Sequence, residues 1–227
     1  DFESLKPDFV FALHNIPGFK RNKILIRRSS FCAASKGLTI TLKGKTAHAA
    51  HPEHAISPAN AIKNIIGSIQ KINANTNTFQ QLAFATIIHI QLGEVAFGTT
   101  PGYAELRMTL RSFDNKDMEK LSSIIEEDIR DIAIEEKLAF DFSYSEVFPA
   151  VYNSDEAVDY IIDAVKENNL ELMKVDQAFR WSEDFGYYTQ NYKGAFFGLG
   201  SGTNQPSLHH PDFDFPDEIM KTGIAVF

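Results

Sequence analysis

The chain has 227 residues, of which 44% are hydrophobic and 23% charged, and a formal net charge of −8. This length and composition describe one large globular domain or two modest ones with ample core. The acidic balance argues against nucleic acid as a main partner, since phosphate binding needs a basic surface. No stretch approaches the ~18 apolar residues of a membrane span, and the single cysteine, Cys32, excludes an internal disulfide framework and suits a cytoplasmic location.

In chain order, residues 8–13 read as a buried strand, Phe9-Val10-Phe11-Ala12-Leu13, that gives way at His14 to the loop exit Asn15-Ile16-Pro17-Gly18. A second strand is expected over 23–30. Residues 36–43 alternate as Leu38, Ile40 and Leu42, a period-two strand. Ser57 supplies a helix N-cap and Pro58 a first helical residue, and the helix that follows over 59–72 sets Ile62, Ile65, Ile66 and Ile69 on one face. Residues 84–92 and 103–112 read as strands joined through a turn region bounded by Gly98 and Gly102. Asp114 caps a second helix with Met118, Leu121, Ile125 and Ile132 on its apolar stripe, and a strand over 138–147 closes the series. The order βαββαβ is that of a ferredoxin-like module.

The flanks do not form a second complete unit. A helix over 155–167, a shorter one near 183–190, a strand over 195–199 and a glycine-rich turn from Gly198 to Gly202 follow the module. The expected fold class is α/β: a larger domain with a mixed sheet and helices on both faces, into which the ferredoxin-like module is inserted. The boundaries expected are 1–34, 35–148 and 149–227. Both ends read as cut, since the chain opens on Asp1 and stops on the apolar run Ile224-Ala225-Val226-Phe227. A longer protein is expected.

Among the seven histidines, His14 ends a strand, where open α/β sheets place their sites; it reads as a structural hydrogen-bonder or a ligand. His209 and His210 follow the glycine-rich turn, and neighbours in an extended segment face opposite ways, so at most one binds an ion. The alternative is a surface pair. His48, His51 and His54 recur at spacing three in "GKTAHAAHPEHAISPANA", but Pro52 breaks any helix that would align them. One of them, presented on a loop at the module's edge, is the better candidate. His89, inside a strand, reads as structural. Glu183 and Asp184 read as acids in a first helical turn, or as carboxylates lining a cationic site. Cys32 reads as an ordinary buried thiol.

Five stretches stand together: "FALHNIPG", "GKTAHAAHPEHAISPANAI", "AELRMTLRSFD", "WSEDFGYY" and "GLGSGTNQPSLHHPDFDFPDEI". In order and spacing the chain resembles the two-metal aminoacylase/carboxypeptidase family of amidohydrolases, in the branch with hippurate hydrolases and indole-acetyl-amino-acid hydrolases. The resemblance implies a catalytic domain holding two divalent metal ions, zinc or manganese, interrupted by a ferredoxin-like lid through which relatives often dimerise. It places His14 and His209 as metal ligands, with His210 a variable neighbour. His48 matches the lid histidine that polarises the scissile carbonyl, in many relatives reaching a neighbouring subunit's site. Glu183, Asp184 and Gly200 fall where contact with substrate or the metal surroundings is expected.

The expected substrate is a small N-acyl amino acid or a dipeptide. The family's other ligands, a Cys and a His in one segment and a Glu beside the catalytic Glu, have no counterpart here. The chain alone is therefore expected to be inactive. Where many relatives carry "FNVIPD", this sequence has "FGTTPG", with Gly98 and Gly102 in place of Asn and Asp. The alternatives are a non-catalytic dimerisation module of a degenerate member, a dipeptidase, or an N-acetyl-diaminopimelate deacetylase.

Overall fold

The computed structural model describes residues 5–227, which divide into two units: residues 5–33 with Pro149–Phe227, and Ala34–Phe148. In the discontinuous unit, β1 (Phe9–Pro17), β2 (Lys23–Ile26), β9 (Glu171–Lys174) and β10 (Lys193–Gly202) form a mixed sheet ordered β1-β10-β2-β9. β1 runs parallel to β10, β10 antiparallel to β2, and β2 parallel to β9. Successive residues of β10 feed opposite faces, as a period of two requires. Phe197 and Leu199 join Ile24, Ile26 and the apolar stripe of α3 (Asp155–Glu167) in one core, while Phe196 joins Val10, Leu25, Phe31 and Phe185 in the other. Ser154 caps α3, its hydroxyl accepting the Ala157 N–H at 3.3 Å. A short antiparallel ribbon, β3 (Ser29–Cys32) with β8 (Val151–Asn153), completes the unit with two small helices, α4 (Gly186–Thr189) and α5 (Met220–Val226).

Several local expectations change here. β1 runs through His14 to Pro17, because its parallel partner continues alongside to Gly202. His14 is thus an interior strand residue opposite Gly198 rather than a strand end. The glycines from Gly198 to Gly202 are strand, not turn. They are glycine because a Cβ at Gly198 would lie 2.4 Å from Ile16 Cδ1, and one at Gly200 would lie 2.1 Å from the Lys20 carbonyl oxygen. The segment 23–30 splits after Ile26, with Ser29 at φ +62°. The helix near 183–190 shrinks to Gly186–Thr189, so Glu183 and Asp184 precede it rather than occupy its first turn. β9 and α5 carry no clear period of their own and follow from docking against β2 and the α3 face.

The continuous unit runs β4 (Ala34–Lys43), α1 (Ala59–Ala74), β5 (Ala83–Leu92), β6 (Tyr103–Ser112), α2 (Asn115–Glu135) and β7 (Ala139–Phe148). Its antiparallel sheet is ordered β5-β6-β4-β7. That is the strand order of a βαββαβ module. Leu38, Ile40 and Leu42 of β4 and Leu106, Met108 and Leu110 of β6 are buried, as are Ile62, Ile65 and Ile69 of α1 and Met118, Leu121 and Ile125 of α2. Both helices pack on the sheet. The Asp114 carboxylate accepts the N–H groups of Lys116 at 2.8 Å and Asp117 at 3.0 Å, the N-cap its position suggests. α1 begins at Ala59, with Pro58 rather than Ser57 as its N-cap. On α2, Ile129 and Ala133 are buried where Ile132 is only half-buried. Among the described residues no helix is long and apolar enough to cross a membrane.

Candidate active site

His14 lies in the middle of β1, between the Trp181 ring, with centroids 5.5 Å apart, and the Phe196 ring at 6.4 Å. Its Nδ1 stands 2.7 Å from the Asn15 carbonyl oxygen. A carbonyl only accepts, so Nδ1 carries the proton and the Nε2 lone pair is left to point elsewhere. It points at Glu183, whose Oε1 is 3.5 Å away. Both side chains are roughly 70% buried, at 28% and 31% exposure. Two electron-pair donors facing each other in a half-buried site repel unless a positive charge lies between them, either a proton on Nε2 or a metal cation.

The spacing suits the cation. Two ligands bound tetrahedrally to zinc at ~2.0–2.1 Å stand about 3.4 Å apart. A backbone acceptor on the far ring nitrogen is also the arrangement that orients metal-binding histidines. The donor set present is thus one that a divalent metal fits. Among the described residues no group of three or more His, Cys, Asp or Glu side chains could hold an ion by itself.

The Glu183 carboxyl is held above the usual range, first by burial and also by the neighbouring Asp184 charge, while His14 and then His209 pull it down. His209 is exposed and sits at φ +65°, a left-handed conformation unusual for a residue with a Cβ. It is the third residue of a turn closed by the His210 N–H on the Ser207 carbonyl at 3.1 Å, a position that asks for positive φ in a type II turn. Strain of this kind concentrates at functional sites. Since the segment is a turn rather than extended chain, the expectation that His209 and His210 alternate across a strand does not apply. The His210 Nδ1 instead accepts the Asp212 N–H at 3.1 Å and closes the next turn locally.

Beside His14 lies an apolar cavity of about 550 Å³, walled by Leu13, Leu199, Phe215, Ile219 and Ile224. Asp184 is exposed and its carbonyl accepts the Tyr187 N–H at 3.0 Å. Gly200 departs from its expected contact with substrate: it is buried, its carbonyl accepts the Asn22 N–H at 3.1 Å, and the Lys20 backbone fills the place of a side chain. Cys32 is fully buried, and burial pushes its thiol well above the ordinary range. Its thiol lies against Glu183, whose charge adds to the effect of burial. The roles of Asn15 and Trp181 were not legible in the sequence; only the adjacency of Asn15 to His14 hinted at the first.

In the other unit, His48 is exposed on the loop after β4 and forms an isolated antiparallel bridge with Thr99. Its Nδ1 accepts the Ala50 N–H at 3.1 Å, which leaves Nε2 as the ring's donor in the neutral form. His51 and His54 follow at ring spacings of 6.2 and 5.7 Å, strung along the loop rather than turned toward one point. His89 is exposed at an irregularity in β5, so it is a surface strand residue rather than a buried structural one.

All of residues 1–227 match the family described as Peptidase family M20/M25/M40. The chain belongs to this family. The resemblance carried by the five motifs therefore points to the right family. The M20 chain is 28% identical over 230 residues to the hippurate hydrolase of Campylobacter jejuni, covering 100% of this chain and 59% of that protein. It is 27% identical over 225 residues to the N-acetyldiaminopimelate deacetylase of Bacillus velezensis, covering 97% and 58%. In fold it is similar to the YxeP protein of Bacillus subtilis, a dinuclear metal binding peptidase of the M20 family, with a TM-score of 0.76 and 22% identity over 96% of this chain and 54% of that one. The chain spans less than three-fifths of each of these proteins.

Proposed function

We propose that the full-length M20 protein hydrolyses the amide bond of a small N-acyl amino acid, hippurate-like or indole-acetyl-amino-acid-like, with two divalent metal ions, zinc or manganese. The observation that carries this reading is the His14 Nε2 lone pair facing the Glu183 carboxylate at 3.5 Å. The names of two curated relatives, hippurate hydrolase and N-acetyldiaminopimelate deacetylase, support the substrate class. When bound, the metal pair supplies Lewis-acid polarisation of the amide carbonyl and acidifies the attacking water.

The chain's own residues do the rest. His14 and His209 hold the metals through imidazole nitrogens. The half-buried Glu183 balances their charge, and Asp184 stands at the exposed rim to meet substrate. Gly200 serves by close backbone packing rather than by touching substrate. His48 turns its Nε2–H toward the carbonyl oxygen as negative charge develops there, in a tautomer kept by the Ala50 N–H. In this reading Ala34–Phe148 is the lid. Its edge strand β5, with Ile88 63% exposed and the fully exposed Val95 and Phe97 just beyond it, pairs two copies into a homodimer. The protein works in the cytoplasm, where a lone unpaired thiol persists.

The test is expression of the complete reading frame with zinc or manganese, assayed on hippurate, acetyl-amino acids and dipeptides. His14→Ala and His209→Ala should each lower both bound metal per subunit and kcat/KM, the latter by about 100-fold or more. Full metal content without cleavage of any substrate would favour a non-catalytic dimerisation module. Unchanged metal content in both variants would remove them as ligands.

A further inference from the structure

The loop that presents His48 holds only one short 3-10 turn, Pro52–His54, and no long strand of its own. Between β4 and α1 the described backbone makes only short pairings, and such loops are mobile unless tied down. One residue before His48, both polar backbone groups of Ala47 are taken by a single partner, Thr100. The Thr100 N–H donates to the Ala47 carbonyl at 2.9 Å, and the Thr100 hydroxyl accepts the Ala47 N–H at 2.9 Å and donates to the same carbonyl at 3.2 Å. The Thr46 hydroxyl in turn donates to the Thr100 carbonyl.

The ladder continues on either side, with the Ala49 N–H on the Gly98 carbonyl at 3.0 Å and the Gly44 N–H on the Gly102 carbonyl at 2.8 Å. Gly102 lets the two segments close, since a Cβ there would lie 2.5 Å from the Thr46 nitrogen. The His48 ring itself is exposed, so its position follows from the backbone that carries it.

We infer that Thr100 is a positioning residue for His48: its hydroxyl, inserted between the N–H and C=O of Ala47, locks the backbone that aims the imidazole. A regular strand pair would need no side chain at this point, because backbone would meet backbone. Here a side-chain hydroxyl takes the place of a backbone carbonyl, and the freed Thr100 carbonyl is occupied by a second threonine. This gives a reason for the second threonine of "FGTTPG", Thr100, and for Thr46 opposite it. It rests on the reading of His48 as a catalytic group.

The experiment is a double-mutant cycle in the metal-loaded full-length enzyme, with amide exchange as a readout independent of activity. Thr100→Val keeps the branched shape and removes the hydroxyl; Thr100→Ser restores the hydroxyl. Thr100→Val should lower kcat about tenfold with KM little changed, as expected of a small misplacement of an attacking geometry. Thr100→Ser should recover most of the loss. In a His48→Ala background, Thr100→Val should change kcat by less than about twofold, because a residue that acts through His48 has nothing left to act on. The Ala47 and Ala49 amides should exchange faster in Thr100→Val while amides of β4 and β6 stay protected.

An equal loss of kcat in both backgrounds would overturn the inference, as would full activity of Thr100→Val when His48→Ala is crippled, or unchanged Ala47 exchange. Full activity of His48→Ala would instead remove the catalytic role of His48, and the inference with it.

Discussion

Gly200 allows the packing argument to be tested with opposite signs at two positions. In Gly200→Ala the new Cβ falls 2.1 Å from the Lys20 oxygen and 3.0 Å from its carbonyl carbon, so strand β10 and the turn beneath it must separate by about 1 Å. Three backbone hydrogen bonds bind that turn to the strand: Gly18 N–H to the Gly202 carbonyl at 2.9 Å, Asn22 N–H to the Gly200 carbonyl at 3.1 Å and Gly202 N–H to the Phe19 carbonyl at 2.8 Å. Their loss costs about 1–3 kcal/mol. Residual strain adds about 1–3 kcal/mol, and the stiffer unfolded chain returns about 0.4–1 kcal/mol. The net destabilisation is about 1–6 kcal/mol.

Gly67 is the control. It lies inside α1 with nothing within 4 Å of an added Cβ. Gly67→Ala should therefore stabilise its unit by about 0.5–1 kcal/mol through helix propensity. Urea unfolding resolves the two, because Trp181, the single tryptophan of the sequence, packs on Phe31 and Phe179 in the same unit as Gly200. Circular dichroism at the helix band follows α1. A Gly200→Ala midpoint equal to wild type, or a lowered helix transition in Gly67→Ala, would refute the reasoning from Cβ clearance.

Two further outcomes follow from the same geometry. The buried Cys32 thiol, its pKa raised chiefly by burial and by the nearby Glu183 charge, stays protonated in the folded chain after the unfolded chain has begun to ionise near ~8.5. Its contribution is whole below that pH and is lost as pH rises above it, by at most about 1.4 kcal/mol per pH unit. Urea titrations from pH 7 to 10 should show a steeper fall for wild type than for Cys32→Ala, and parallel curves would contradict the assignment. At the open edge of β5, Ile88→Lys should convert the proposed dimer of the full-length protein to monomer in sedimentation velocity. A dimer of undiminished affinity would place the interface elsewhere.

Much of the fold was legible because its causes are local. The alternation Leu38-Ile40-Leu42, the isoleucine stripe of α1 and the Asp114 cap each act within a few residues, and each appears in the structure within a residue or two of its expected place. The long helix over Asp155–Glu167 did so at both ends, because Ser154 caps it and its apolar period is regular. The elements that were misread depend on neighbours distant in sequence. Gly198 to Gly202 looks like a turn by composition, yet it is a central strand because β1 and β2 flank it and the Lys20 turn presses on it. Glu183 and Asp184 look like a helix start, but the helix waits for Gly186, where a Cβ would lie 2.3 Å from the Pro149 carbonyl oxygen.

The candidate site divides in the same way. The types and order of the chemical residues, the family and the two-part organisation were carried by the sequence alone, since motif spacing and hydrophobic period survive without coordinates. Tertiary structure alone decided that His14 keeps its proton on Nδ1, that its lone pair meets Glu183, and that Thr100 grips the residue before His48. Each of these is a hydrogen-bonding or electrostatic relation set by where a backbone carbonyl or a remote side chain comes to rest. Such relations are fixed by packing over many residues, and no local pattern of amino acids encodes them.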